Sequence, residues 1–166
     1  ALLASEGQRL AFEPSDWRGL LGTGGEPTIG GVIVGNIAGP RRMQAGAARD
    51  ALLGVRFVDG TGAVIRNGGR VMKNVTGYDL SKGLAGSWGT LAVITDVTFK
   101  VLPAAETETT LLIRGLEDDV AALTMAAAMG SSAEASSTAH LPYTVAGNVL
   151  GGALKGETAT LIRIEG

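Results

Sequence analysis

Cysteine is absent from all 166 positions, and histidine occurs once, at His140. A chain without thiols offers no disulfide framework, no thiolate metal site and no ligand for an iron–sulfur cluster. A single histidine with no cysteine or second histidine beside it cannot complete a metal site, so no metal is expected and His140 reads as a loop or partly buried structural residue. Charge of one sign is not in excess either: the net charge of −2 argues against a nucleic-acid partner. No apolar run approaches about 18 residues, and the N-terminus lacks the basic and apolar regions of a signal peptide. Neither a membrane span nor secretion is therefore expected, and the cytoplasm is the expected compartment. Asn74-Val75-Thr76 spells a glycosylation sequon that has no physical meaning without secretion.

Glycine is in excess, 26 residues, about twice the usual share. It recurs at Gly30, Gly31, Gly35 and Gly39 within TIGGVIVGNIAG, from Thr28 to Gly39, among apolar β-branched residues. Backbone without Cβ atoms lets a flat or anionic ligand approach main-chain N–H groups; a run of tight turns at a sheet edge would use the same residues. Two phosphate motifs are excluded. GxGxxG fails because Pro27 stands where a third glycine after Gly22 and Gly24 belongs, and GxxxxGK[ST] does not occur. Residues 1 to 103 carry 11 basic and 8 acidic side chains and residues 104 to 166 carry 3 and 8, so an anionic ligand sits more comfortably on the first part.

ALLASEGQ at the start reads as the last turns of a helix closed by Gly7, in a sequence that opens inside the element without methionine, so a truncated chain is expected. An irregular loop through Pro14, Trp17 and Gly22 to Pro27 leads into the glycine segment. Leu53, Val55 and Phe57 alternate with polar or small neighbours, and with residues 63 to 66 beyond the turn Asp59-Gly60-Thr61-Gly62 they predict a β-hairpin. Asp79 is placed to cap a short helix running to Ala85. From Leu91, Val93, Val97, Phe99 and Val101 fall on one face and Asp96, Thr98 and Lys100 on the other, a half-buried strand. Beyond Pro103, residues 109 to 114 read as a strand. Leu116, Val120, Leu123 and Ala127 keep helical spacing, with acidic Glu117, Asp118 and Asp119 in the first turn and Gly130 as the closing cap. A Ser- and Ala-rich stretch spans 131 to 139, and residues 158 to 164 form another strand.

TIGG followed by N-x-x-G, a basic stretch, VMKNVTGYDL and GSWGTLAVIT ending in a strand and proline resembles the vanillyl-alcohol-oxidase, or PCMH-type, FAD-binding family. Within it, GPRR, ARD, GGRVMKNVTGYDLSK and LAGSWGTL are most similar to the FAD-binding E subunits of bacterial glycolate oxidases. The resemblance implies an α+β fold, with residues 1-103 as the second half of the FAD-binding domain and residues 104-166 as the start of a ferredoxin-like α+β cap, inside which the chain is expected to stop. It implies that the N-terminal subdomain holding the FAD pyrophosphate precedes Ala1. The chain alone is then expected to bind FAD weakly or not at all and to leave sheet surface that a homodimer would cover.

By the same resemblance, Thr28 would offer its hydroxyl or amide to the flavin phosphates. Gly30, Gly31, Val34, Asn36, Ala38 and Gly39 would line the cofactor, and Val93 would pass the flavin ring edge with Gly86 and Gly89 shaping the turn before it. From the residues alone, Val93 reads equally as a core valine and Asn36 as an Asx-turn. Arg41, Arg42 and Arg49 read either as partners of a phosphate or substrate carboxylate or as a solvated or subunit surface. Lys73, Asn74, Tyr78 and Asp79 present a similar choice, with Asp79 favoured as a cap and Tyr78 as a packed ring. No catalytic residue is evident, since no histidine base stands near the glycine segment. The implied function is that of an accessory flavin subunit in a complex oxidising glycolate to glyoxylate, beside a paralogous catalytic flavin subunit and an iron–sulfur subunit, with peripheral membrane association through the complex. D-lactate or another 2-hydroxy acid as substrate, and a scaffold that binds no flavin, are the alternatives.

Overall fold

The computed structural model describes residues 2–72 and 77–166; Lys73, Asn74 and the rest of the sequon lie outside the described residues. The chain divides into two compact units, Ala1–Ala104 and Ala105–Gly166.

The first unit opens with α1 (Leu2–Ser5), closed by Gly7 at φ 62°, and β1 (Gln8–Arg9). The stretch read as an irregular loop contains a helical turn, α2 (Arg18–Leu21), closed by left-handed Gly22. Three more short helices follow: α3 (Ile29–Val34), α4 (Arg42–Ala45) and α5 (Ala48–Ala51). The hairpin then forms as its alternation predicts, from β2 (Leu52–Val58) and β3 (Val64–Gly68), with Val58 facing Val64. The Asp59 carboxylate closes the turn by accepting from the N–H groups of Thr61 and Ala63 and from the Thr61 hydroxyl. These bonds favour the ionised form and hold the Asp59 pKa below its ordinary value.

Helix α6 (Leu80–Leu84) starts at the expected cap: Asp79 accepts from the Lys82 N–H at 3.1 Å and from the Ser81 hydroxyl. Strand β4 (Val93–Phe99) pairs with β2 to give the antiparallel order β3-β2-β4, and β5 (Leu102–Pro103) returns to pair with β1. Ile33, Leu52, Val55, Phe57 and Leu84 form the core between the helices and one sheet face, and a second cluster packs fully buried Phe12 on Ala48 and Ala51. The Phe12 and Phe99 rings, 5.7 Å apart, join the two clusters.

Two β-bulges overturn the simple alternation read from the sequence. Between Arg56 and Phe57 the register steps from Asp96 to Ile94, so Thr95 is an extra residue on β4. Side chains alternate with period two, so one inserted residue exchanges the faces. Ile94, Val97 and Phe99 therefore pack on the core, while Val93 is 68% exposed. A second shift between Leu52 and Gly54 buries Leu52 and leaves Leu53 only half-buried.

The second unit comprises β6 (Glu108–Arg114), α7 (Asp118–Met129), β7 (Ser137–Leu141), α8 (Tyr143–Ala146) and β8 (Ala159–Glu165). The Ser- and Ala-rich stretch thus supplies the start of β7. The sheet order is β6-β8-β7 with both pairings antiparallel, which leaves β6 and β7 parallel with β8 between them, the split β-α-β arrangement of a ferredoxin-like half. Helix α7 spans the expected residues but buries another face. Ala121 is fully buried with Thr124, Met125 and Ala128 half-buried, whereas Val120 and Leu123 are exposed. His140 on β7 joins the elements of this unit: its Nε2 lies 3.1 Å from Asp118 in the first turn of α7 and its Nδ1 lies 2.8 Å from the hydroxyl of fully buried Thr160 on β8. His140 is thus a structural strand residue.

Candidate functional site

The segment Thr28 to Gly39 is a capped helix followed by a tight exit. Thr28 is extended at φ −108° and ψ 148°, and its Oγ1 accepts from the Gly31 N–H at 3.1 Å. Ile33 is buried and anchors the helix to the core, while Gly30 and Gly31 present no side chain on its outer side. Gly31 is helical, so left-handed geometry does not require glycine there. What a Cβ would meet is Thr28 Oγ1, at 3.2 Å, whereas at Gly30 it would meet nothing within 4 Å.

After Gly35 the chain turns through Asn36 at φ 48°. The Asn36 Oδ1 accepts from the Arg49 N–H at 2.9 Å, so its side chain ties this exit to α5 rather than closing a local Asx-turn. Ala38 accepts through its carbonyl from the Ser15 hydroxyl. Gly39 donates to the Phe12 carbonyl at 2.9 Å, and a Cβ there would lie 1.8 Å from Glu13 O. The close approach at Gly39 is therefore made by the chain itself.

About fifty residues later in sequence, the turn Gly86-Ser87-Trp88-Gly89 meets the end of α3. Gly86, Trp88 and Gly89 have φ of 86°, 55° and 74°. The Gly86 N–H donates to Ile33 O at 3.1 Å and the Trp88 N–H to Val34 O at 2.9 Å. The two glycine segments are thus joined by main-chain hydrogen bonds. Trp88 and, where β4 begins, Val93 stand exposed, and the Ser87 hydroxyl is buried without a partner among the described residues.

Beside α3 lies a groove of about 330 Å³, walled by Trp17, Pro27, Thr28, Gly31, Val32 and Ile37. Trp17 is a wall residue that the sequence placed only in an irregular loop; nothing local marked it, because the loop residues 15 to 27 reach the helix only in the fold. The lip is charged. Arg18 holds Asp16 at 2.7 Å and Glu26 at 3.1 Å. The Arg18 side-chain and backbone donors lower the Asp16 pKa to about 2, and the same pair raises that of Arg18. With its one cation committed to two carboxylates, the lip does not suit a pyrophosphate. The apolar wall and the side-chain-free surface at Gly31 fit a flat ring, as FAD carries at its flavin end.

The basic candidates separate. Arg41 is buried at the start of α4, whereas Arg42 and Arg49 are exposed. The Arg49 carbonyl, with that of Leu52, accepts from Lys82 Nζ. Tyr78 does not pack but is 88% exposed. Asp79 is engaged as the α6 cap, and its pKa is lowered first by the Ser81 hydroxyl, then by the Lys82 N–H and the nearby Lys82 and Arg49 charges, against a desolvation cost. Among the described residues no acidic and histidine groups are gathered to hold a metal, and no helix is long and apolar enough to cross a membrane.

Residues 8–68 match the FAD binding domain family. The chain is similar to glycolate oxidase subunit GlcE of Escherichia coli, 48% identical over 103 residues that make up 62% of this chain and 28% of that protein. Similar too are glycolate oxidase subunit GlcD of Bacillus subtilis, 42% identical over 59% of the chain and 21% of the relative, and a D-lactate dehydrogenase of Anaerostipes hadrus, 38% identical over 57% and 20%. The matched stretches thus span less than a third of these relatives. In fold, the chain is similar to alkyldihydroxyacetonephosphate synthase, with a TM-score of 0.68 at 18% identity, covering 99% of this chain and 32% of that one. Residues 8–68 thus match the FAD binding domain family, and the chain shares an α+β fold with alkyldihydroxyacetonephosphate synthase.

Proposed function

We propose that this chain is part of the FAD-binding subunit of a glycolate oxidase (glycolate dehydrogenase) complex, taking part in the oxidation of glycolate to glyoxylate. The carrying observation is the union of the Thr28–Gly39 segment with the Gly86–Gly89 turn beside an apolar groove, in a chain 48% identical to a glycolate oxidase subunit over 103 residues. On this reading residues 1-103 form the C-terminal subdomain of the FAD-binding domain and residues 104-166 begin the cap. FAD accepts the two electrons of hydroxy-acid oxidation. Thr28 would donate its hydroxyl proton, which the cap bond leaves free, to a cofactor oxygen. Gly30, Gly31 and the Gly86–Gly89 turn would admit the ring, with Val93 at its edge.

The protein groups supply position rather than proton transfer. The carboxylates at the groove, Asp16 and Glu26, are held by Arg18, and the low pKa of Asp16 makes it a poor base near neutral pH. On this reading the subunit is accessory and works beside a second flavin subunit and an iron–sulfur subunit, in the cytoplasm or at the inner face of the membrane. The similarity to D-lactate dehydrogenase favours a second reading, in which the substrate is D-lactate or a related 2-hydroxy acid.

The test is anaerobic addition of each hydroxy acid to the assembled complex while the visible flavin absorbance is followed. Glycolate is expected to bleach the flavin, and this subunit purified alone with FAD is expected to show no bleaching. Preferential bleaching by D-lactate would select the second reading. Absence of any flavin from this subunit would leave the scaffold alternative.

A further inference from the structure

The sheet face turned away from the first unit's core carries an arrangement that the flavin reading does not use. Arg56 on β2 and Arg66 on β3 are direct cross-strand partners, and like charges at such a pair destabilise a sheet. Asp96 flanks Arg56 on the other side and pairs with it at 3.4 Å, but Arg66 and Arg70 have no acidic partner among the described residues. Three guanidinium groups thus share one carboxylate. They surround a groove of about 420 Å³ floored by Gly54, Gly68 and Gly69.

The floor cannot be filled by a side chain. A Cβ at Gly54 would lie 2.8 Å from Gly69 N, and one at Gly68, which has φ 75°, would lie 2.2 Å from Leu53 O. The Arg56 Nε is buried without an acceptor. Further along the same face Val58 pairs with Val64, which is exposed, and the two form an apolar strip beside the cationic groove. Guanidinium groups next to a desolvatable apolar strip are the composition of a protein interface rather than of a closed small-molecule pocket.

We propose that this face docks an acidic segment of a partner protein, whose carboxylates enter the glycine-floored groove between Arg56 and Arg66 while its apolar side chains cover Val58 and Val64. An incoming carboxylate accepts paired N–H donors and relieves the repulsion between the opposed arginines.

Calorimetric titration of the full chain with hexaglutamate, with citrate as the small anion and hexalysine as the control of opposite sign, tests the proposal. Hexaglutamate is expected to bind, with affinity falling as salt rises. Arg66→Gln is expected to weaken it at least tenfold while leaving the melting temperature of the free protein equal or higher, because the repulsion is removed. Lys155→Gln, the same charge change on the second unit, is expected to leave binding unchanged. No binding of hexaglutamate, equal binding by Arg66→Gln, or citrate binding as tightly as hexaglutamate would overturn the proposal, the last pointing to a small-anion site.

Discussion

Gly39→Ala separates a glycine kept for the fold from one kept for a ligand. The new Cβ would lie 1.8 Å from Glu13 O and 2.9 Å from Glu13 C, so backbone and not a mobile side chain has to move. Glu13 already sits at φ 43°, and Phe12 beside it is fully buried, which leaves little room to yield. Overpacking of this kind costs about 1–3 kcal/mol. The Gly39 N–H to Phe12 O bond would also be strained, and an unsatisfied buried group costs about 1–3 kcal/mol. Against this, alanine lowers the entropy of the unfolded chain by about 0.4–1 kcal/mol. The net expectation is a loss of roughly 2–4 kcal/mol, a thirtyfold to thousandfold shift toward the unfolded state at about 1.4 kcal/mol per tenfold. Both tryptophans, Trp17 and Trp88, lie in the first unit, so urea unfolding followed by tryptophan fluorescence reports on that unit alone. Gly30→Ala is the control: it meets nothing within 4 Å in a helix and is expected to stabilise by about 0.5–1 kcal/mol. A Gly39→Ala protein within about 0.5 kcal/mol of the parent, the range of innocuous surface changes, would refute the argument.

Asp79→Ala should cost about 0.5–2 kcal/mol by removing the α6 cap, read by the same fluorescence assay. Because the folded pKa of Asp79 is lowered, its contribution is present above the unfolded value of about 3.9 and lost as pH falls through the folded value; an acid-stability profile unchanged in Asp79→Asn would argue against the cap. Asp16 should titrate at about 2 in a carbon-detected NMR titration and return toward 3.8 in Arg18→Gln. Thr160→Val should destabilise the second unit by about 1–3 kcal/mol, because it leaves a His140 ring nitrogen without its partner; circular dichroism unfolding that matches the parent would contradict this. Gly31→Val in the flavin-binding protein should lower FAD affinity by crowding the Thr28 cap and the groove wall rather than by any left-handed strain, so fluorescence titration should show Gly31→Ala as the milder variant.

Much of the chain's local structure was legible in its residues because the bonds that make it span only a few positions. Asp79 caps α6 through the N–H three residues on, Asp59 closes its turn through Thr61 and Ala63, and the hairpin strands carry their own alternation. The ordered glycine segments likewise carried the family resemblance. What only the tertiary structure decided depends on partners far along the chain. One extra residue at Thr95, defined only by pairing with β2, turns Val93 out of the core. The choice between a turn run and a helix at Thr28–Val34 depends on Ile33 finding the core and on the 86–89 turn finding the end of α3. Helix α7 could present either Leu123 or Ala121 to its sheet by spacing alone, and packing on the strands buries Ala121 and leaves Leu123 exposed. Arg56 and Arg66 are ten residues apart in sequence, and it is the register of β2 on β3 that sets the two guanidinium-bearing residues opposite each other. Capping and turn bonds are written locally; the parity of a strand and the face of a helix are fixed by the surface each meets.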